Sequence, residues 1–135
     1  MIATAMKKGK YEGELRIYCH PGLADTISTL CRLTLQGKFY KMIGEQIFLI
    51  PVEDGETVSI LDYDVTFFDI LSTKAKQFGF TMHLKNGKKF TCAGDEPYNP
   101  ECKPYVEGSQ CFFTKHSASM VTENGSSLMK NITAQ

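Results

Sequence analysis

The residues that could bind a metal ion or activate water are few and widely spaced in this sequence. There are three histidines, His20, His83 and His116, and they form no HxH, HxxxH or HExxH pattern. A catalytic zinc ion normally needs three protein ligands of the His, Cys or carboxylate type, together with an open position for water. The histidine spacing by itself therefore predicts no zinc site.

Each histidine also has an ordinary structural interpretation. His20 follows a strand-like segment and precedes Pro21, so we expect it to cap or pack at a helix start rather than to bind metal. His83 is expected on a solvated strand face beside a hairpin. His116 lies in a C-terminal segment of unusual composition and carries little weight.

The best single candidate is the carboxylate of Asp95, in the segment TCAGDEPYN of residues 91–99. A β-rich run leads to Gly94, whose missing side chain permits a sharp turn, so Asp95 is presented at the end of a strand. A carboxylate there can bridge two metal ions, and two ions ~3.5–4 Å apart can share an activated hydroxide. The ordinary alternative is a loop aspartate that accepts backbone hydrogen bonds in an Asx-turn.

Length and charge limit the protein classes that remain. The chain has 135 residues and 42% hydrophobic content, enough for one modest domain with a single core. Lys plus Arg and Asp plus Glu number 15 each, so no net charge attracts the chain to nucleic acid or acidic lipid. A tight nucleic-acid-binding protein is therefore disfavoured.

The cysteines and the shortness of the apolar runs indicate where in the cell the protein resides. The start of the chain does not have the charge order of a secretory signal, and no apolar run approaches the ~20 residues that span a bilayer. The five cysteines are odd in number and form no CxxC pair, which is typical of reduced thiols. We expect a soluble, cytoplasmic protein with no membrane partner.

The elements that would position these residues follow from hydrophobic periodicity. Residues 1–11 resemble the end of a helix, and the alternation after Glu14 predicts a strand over 15–19. Apolar spacing of three to four residues predicts a helix over 22–36, and a second, short helical stretch is expected over 38–43. The pattern then changes to strands, predicted at 47–52, 57–61, 65–70, 78–84 and 88–92.

The rest of the chain is predicted to contain a hairpin and a C-terminal segment of different composition. Asn86-Gly87 between two β-rich runs is the strongest short-range hairpin signal in the chain. A loop and a short helix near 101–107 follow. Residues 111–135 are rich in Ser, Thr and Asn and follow neither period, so they are predicted to be disordered or non-native. The resulting division is one α/β unit over 1–110 and a tail over 111–135.

Three segments carry a resemblance to a known family: VTFFDILSTKAKQFGF at 65–80, LKNGKK at 84–89 and GDEPYN at 94–99. Together they look like the second half of bacterial hydrolases of the metallo-β-lactamase superfamily that are similar to ribonuclease Z. The resemblance implies a partial αββα sandwich of the α/β class, with a helix, a strand, a helix and then a β-meander with a hairpin. It also implies that Asp95 is a metal-bridging ligand in a site for two Zn²⁺ ions.

The family would act on a small-molecule or nucleic-acid phosphodiester through metal-activated water. Its His-x-His-x-Asp-His motif is absent here, and the place of a further histidine ligand holds Ser72-Thr73. We therefore expect an incomplete piece of a zinc-dependent hydrolase, inactive alone, with weak metal binding and no catalytic residue that can be named. The alternative is a small α/β binding or structural module without catalysis.

The tail has a specific interpretation under this resemblance. If synonymous codons are chosen freely and the frame is moved to the third base of the Cys111 codon, the tail can be translated as LLHEAFCLYGDRERFKPYEKHHST. Family members continue with similar LLHEAF and HHST segments, so a single-base frameshift or a sequencing error would account for residues 111–135. A half-sandwich would also expose a sheet edge and an apolar face, which predicts self-association.

Overall fold

The computed structural model describes residues 1–114 and the backbone of residues 117–121 and 127–128. The chain divides into two compact units, Met1–Val52 and Glu53–Gln135. The first unit contains, in order, α1 (Ile2–Lys7), β1 (Leu15–Cys19), α2 (Pro21–Thr34), α3 (Gly37–Tyr40) and β2 (Ile47–Pro51).

The first unit is a strand–helix–strand arrangement. Strands β1 and β2 pair in parallel with Leu15 opposite Ile47, and the chain between them forms α2 and α3. A parallel pair requires such a crossover, since a tight turn cannot return the chain in the same direction. A small core of Met6, Met42 and Ile47 is packed against Leu15 and other partly buried apolar residues.

Helix α2 begins where local chemistry favours a start. Pro21 occupies its first turn, and the backbone N–H of Leu23 donates to Nδ1 of His20 at 3.2 Å. An N-cap acceptor of this kind satisfies one of the N–H groups that a helix start leaves unpaired. Of the two structural roles expected for His20, capping or packing, the structure shows the cap. In the part of the chain that the structure describes, no helix is long and apolar enough to cross a membrane.

The second unit is built around one twisted sheet. Its elements are β3 (Thr57–Ile60), β4 (Tyr63–Asp69), β5 (Phe78–His83), β6 (Lys89–Cys92), a 3₁₀ turn η1 (Pro100–Cys102), α4 (Lys103–Val106), β7 (Cys111–Thr114), β8 (Ser117–Val121) and β9 (Ser127–Leu128). The described strands pair in sequence order from β3 to β9. All neighbours are antiparallel except β6 and β7, which are parallel. The fold class is therefore α/β with a β-meander, as predicted.

The predicted hairpin joins β5 to β6. Gly87 has a φ of +76°, a left-handed conformation that glycine adopts without steric cost, and Asn86 Oδ1 accepts from the N–H of Lys88 at 3.0 Å. The strands it joins place Thr81 opposite Thr91 and Phe80 opposite Cys92. This register brings the end of β6 next to the beginning of β5.

The core of the second unit lies between the sheet and the η1–α4 crossover. Phe68, Ile70, Ala93, Cys102 and Phe112 are its buried members. The ring of Tyr105 in α4 stacks on Phe68 with 4.7 Å between the ring centroids. The crossover therefore covers the sheet face and allows β7 to run parallel to β6.

The predicted boundary after residue 110 stays a prediction, because much of the tail lies outside the described residues. The first four residues of the tail form β7. The carbonyl of Phe113 in this strand accepts a hydrogen bond from the N–H of Ala93 at 2.8 Å.

Candidate functional site

The candidate site lies in two loops at one end of the second unit's sheet. Residues 70–77 connect β4 to β5, and residues 93–99 follow β6. Asp69 at the end of β4 is paired with Phe78 at the start of β5, and the carbonyl of Cys92 lies close to Gly79. The sheet register therefore brings together two loops that are about 20 residues apart in sequence.

Asp95 lies where the sequence placed it, at the turn after a strand. Ala93 is buried, and Gly94 then adopts a φ of +70°, which turns the chain outward and leaves Asp95 exposed. A left-handed residue at this point is readily supplied by glycine. The carboxylate is thus presented to solvent at the end of the sheet.

The neighbouring carboxylate, Glu96, is partly buried and held by the other loop. Its Oε1 accepts from the hydroxyl of Ser72 at 3.1 Å and lies 3.7 Å from Nζ of Lys74. The hydroxyl of Thr114 donates to its backbone carbonyl. Only 12% of the Glu96 side chain is exposed, against 69% for Lys74, so the carboxylate is the sheltered partner of this pair.

Asp69 holds the start of the same loop. Its Oδ1 accepts from the N–H of Leu71 at 2.9 Å, and its Oδ2 lies 3.9 Å from Nζ of Lys76. Leu71 has a φ of +56°, a left-handed conformation that is strained for a leucine. The residue that precedes Ser72 is therefore held in an uncommon conformation by its surroundings, a feature often found near functional sites.

Both lysines of this loop are in ion pairs: Lys74 is paired with Glu96 and Lys76 with Asp69. The adjacency of Glu96 to Asp95 was visible in the sequence, but its partners were not. Ser72 and Lys74 are 24 and 22 residues away along the chain.

Within the second unit, His83 lies away from Asp95. His83 is exposed at the far end of β5, five residues and roughly 17 Å along the strand from Phe78, and its Nε2 lies 3.5 Å from Oγ1 of Thr66. His20 belongs to the first unit and caps α2. His116 lies outside the described residues.

The residues that the structure describes do not form a complete metal centre. Within residues 1–114 and the described strand segments beyond them, no group of three or more His, Cys, Asp or Glu side chains could hold a metal ion. Glu96, the carboxylate nearest to Asp95 in sequence, is already bound to a hydroxyl and an ammonium group. At most, Asp95 is one exposed ligand.

Solved structures share the arrangement of these elements. The metallo-β-lactamase fold protein YhfI from Bacillus subtilis superimposes with a TM-score of 0.55 at 14% identity, over 81% of this chain. The Zn²⁺-bound PqqB from Methylobacterium extorquens superimposes with a TM-score of 0.56 at 16% identity, over 77% of this chain. The chain shares the metallo-β-lactamase fold.

The likeness is to part of that fold. The chain spans 39% of the length of YhfI and 34% of the length of PqqB. No family model matches the sequence, and no curated protein does. The metallo-β-lactamase fold is a metallo-hydrolase-type fold, and it is the fold, rather than a site, that the structural likeness supports.

Proposed function

We propose that this chain is part of a zinc-dependent hydrolase of the metallo-β-lactamase superfamily, similar to ribonuclease Z, and that it is inactive by itself. Asp95 is the residue it contributes to the metal site, and the remaining ligands lie outside the described residues. The observation that carries the proposal is the exposed position of Asp95 at the turn after β6, in a chain with this fold.

The substrate class of the whole enzyme is a phosphodiester or related ester, in a small molecule or a nucleic acid. When two Zn²⁺ ions are bound, they would supply the activated water. The residues of this chain would hold the loop that carries Asp95. Ser72 and Lys74 do so through Glu96, and β7 does so through the hydrogen bond from Ala93 to Phe113.

A second candidate is a binding or structural module without catalysis. The hydrogen bond from Ser72 to Glu96 favours this candidate. A serine stands where the resemblance expects a histidine ligand, and its hydroxyl already donates to the Glu96 carboxylate. Self-association would suit either candidate. Leu23, Leu30 and Leu33 are exposed on α2, which leaves apolar surface for a second copy.

The first experiment measures zinc binding by calorimetry and elemental analysis, for the full chain and for Asp95→Ala. We expect weak, sub-stoichiometric zinc, because one carboxylate supplies a single ligand where a stable site needs several. Hydrolysis of bis(4-nitrophenyl) phosphate should not exceed the rate in buffer with the same zinc concentration.

The role of Asp95 itself needs a readout that does not depend on activity. Addition of Mn²⁺ should broaden the amide NMR signals of residues 94–96 first, and Asp95→Asn should remove this effect. Asp62→Asn is the matched control, because Asp62 is an exposed turn aspartate elsewhere in the same unit. Tight stoichiometric zinc would refute the incomplete site, and equal broadening at Asp62 would refute the assignment of Asp95.

A further inference from the structure

The neutral charge of the whole chain conceals opposite charges on its two units. Residues 1–52 contain seven Lys and Arg against four Asp and Glu, a net charge of +3. Residues 53–135 contain eight against eleven, a net charge of −3. Five of the seven cations of the first unit are exposed lysines that lie in α1 or α3 or within three residues after them: Lys7, Lys8, Lys10, Lys38 and Lys41.

Packing of the first unit's core brings three of these lysines together. Met6 of α1 and Met42, which follows α3, are both buried in the same cluster. Lys7 and Lys41 are their immediate neighbours in sequence, so burial of the two methionines fixes where the lysine backbones lie. This packing, and not sequence proximity, joins residues that are 34 positions apart.

The three lysines Lys7, Lys38 and Lys41 line one cavity with a volume of about 500 Å³. Met42, Gly37, Gln46 and Glu45 complete its wall. Cavities of roughly 300–1,000 Å³ are typical of sites for small molecules. The wall therefore combines three lysines, one glutamate, one glutamine and some apolar surface, in a volume that suits a ligand of nucleotide size.

The positive charge of this cavity is not neutralised by the described protein. Among the residues that the structure describes, the ion pairs within 4.0 Å involve Arg16 in the first unit and Lys74, Lys76 and Lys85 in the second. None of the cavity lysines is in an ion pair, and Glu45 is the one acidic residue on the wall. Lysine ammonium groups that share one cavity wall repel one another, so an anion bound there would lower the electrostatic energy of the wall.

We propose that this cavity binds the phosphate groups of a small phosphorylated ligand. Phosphate matches the wall because it carries more than one negative charge and several acceptor oxygens, and each ammonium group offers three donors. Lys38 is partly held in place, since its Nζ lies 5.0 Å from the centroid of the Phe39 ring. A single cavity lined by three lysines suits a compact ligand better than the long backbone of a nucleic acid, which is contacted along a track.

The test is titration of the full chain with inorganic triphosphate at low salt, followed by calorimetry and by ¹H–¹⁵N NMR. We expect saturable one-to-one binding, with chemical shift changes confined to residues 7, 37–42, 45 and 46. The Lys38→Gln/Lys41→Gln variant should lose on the order of tenfold in affinity, because two exposed charge contacts together contribute about that factor. The lysines are exposed, so circular dichroism should show an unchanged fold.

The matched control is Lys88→Gln/Lys103→Gln, which removes the same charge from exposed positions in the second unit. It should retain affinity for triphosphate to within about twofold. Equal losses in the two variants would mean that triphosphate responds only to overall charge, and would overturn the site. A single-stranded oligonucleotide that binds more tightly than triphosphate and shifts signals beyond the cavity would overturn the small-ligand assignment.

Discussion

A chain of buried hydroxyl groups crosses the core of the second unit, and its proton order can be derived from the structure. The side chains of Thr81, Thr91 and Ser109 are almost fully buried. Oγ1 of Thr81 donates to the carbonyl of Tyr105 at 3.0 Å and lies 2.9 Å from Oγ1 of Thr91, which lies 2.7 Å from Oγ of Ser109. A carbonyl can only accept, and each hydroxyl has one proton. Ser109 therefore donates to Thr91, and Thr91 donates to Thr81.

This order predicts unequal effects for three hydroxyl deletions. Ser109→Ala removes one hydrogen bond and leaves no donor unpaired, because Thr91 still donates to Thr81; we expect a loss of about 1 kcal/mol in the free energy of unfolding. Thr91→Val removes two bonds and leaves the buried hydroxyl of Ser109 without an acceptor. Thr81→Val likewise removes two bonds and leaves the hydroxyl of Thr91 unpaired. For each of these two variants we expect a loss of about 2–3 kcal/mol.

The assay is equilibrium unfolding in urea. The midpoints of the variants are compared with the same m-value, the slope of the unfolding free energy against urea concentration. Thr57→Val is the matched control. It breaks a 2.8 Å hydroxyl pair with Thr66 at an exposed position, where water can replace the lost partner, and should change stability by less than about 0.5 kcal/mol. If Ser109→Ala destabilised the protein as much as Thr91→Val, the derived proton order would be wrong. If Thr91→Val had no larger effect than Thr57→Val, the hydroxyl chain would not contribute to stability.

Three further changes have specific expected results. Leu61, in the β3–β4 turn, is exposed and has a φ of +49°. Leu61→Asn should therefore raise the free energy of unfolding, measured by urea titration, by about 1 kcal/mol. No change would show that the left-handed conformation of Leu61 is not strained. A Cβ at Gly79 would lie 2.7 Å from the carbonyl oxygen of Cys92, so Gly79→Ala should lower stability by about 1–3 kcal/mol, and a neutral result in calorimetry would contradict this contact. Burial, and then the nearby carboxylates, raise the pKa of the Cys102 thiol above its ordinary value of 9.0. The protonated thiol therefore contributes fully to the free energy of unfolding at pH values below the pKa of Cys102 in the unfolded chain. This contribution is lost as the pH rises through the pKa of Cys102 in the folded protein. Mass spectrometry after brief iodoacetamide treatment should show Cys31 labelled well before Cys102, and the reverse order would refute the burial of Cys102.

Much of the secondary structure could be predicted because the signals are local. Strand β1 was predicted with its observed bounds, and α2 was predicted over 22–36 where the structure has Pro21–Thr34. The short helix predicted over 38–43 ends at Tyr40 instead. Its last residues form a turn in which the carbonyl of Met42 accepts from the N–H groups of Gln46 and Ile47, and this turn leads directly into β2.

Within the candidate site, the exposed turn of Asp95 was predictable but its surroundings were not. Gly94 and the preceding β-rich run are adjacent in sequence, so the strand-end position of the carboxylate follows from short-range geometry. The tie of Glu96 to Ser72 depends on the register between β4, β5 and β6. That register depends on the hydrophobic pattern of three whole strands and on the two turns that join them, so it involves residues far apart in sequence.

The sequence by itself determined the α/β class, the capped start of α2 after His20, the hairpin at Asn86-Gly87 and the candidacy of Asp95, because each depends on residues within one or two turns of chain. Only the tertiary structure decided that β6 pairs in parallel with β7, that the β4–β5 loop holds Glu96, and that Lys7 and Lys41 line one cavity. These features join residues 21 to 34 positions apart. They form because burying the apolar side chains of two cores removes those side chains from water, and the polar groups attached to the same backbone must follow.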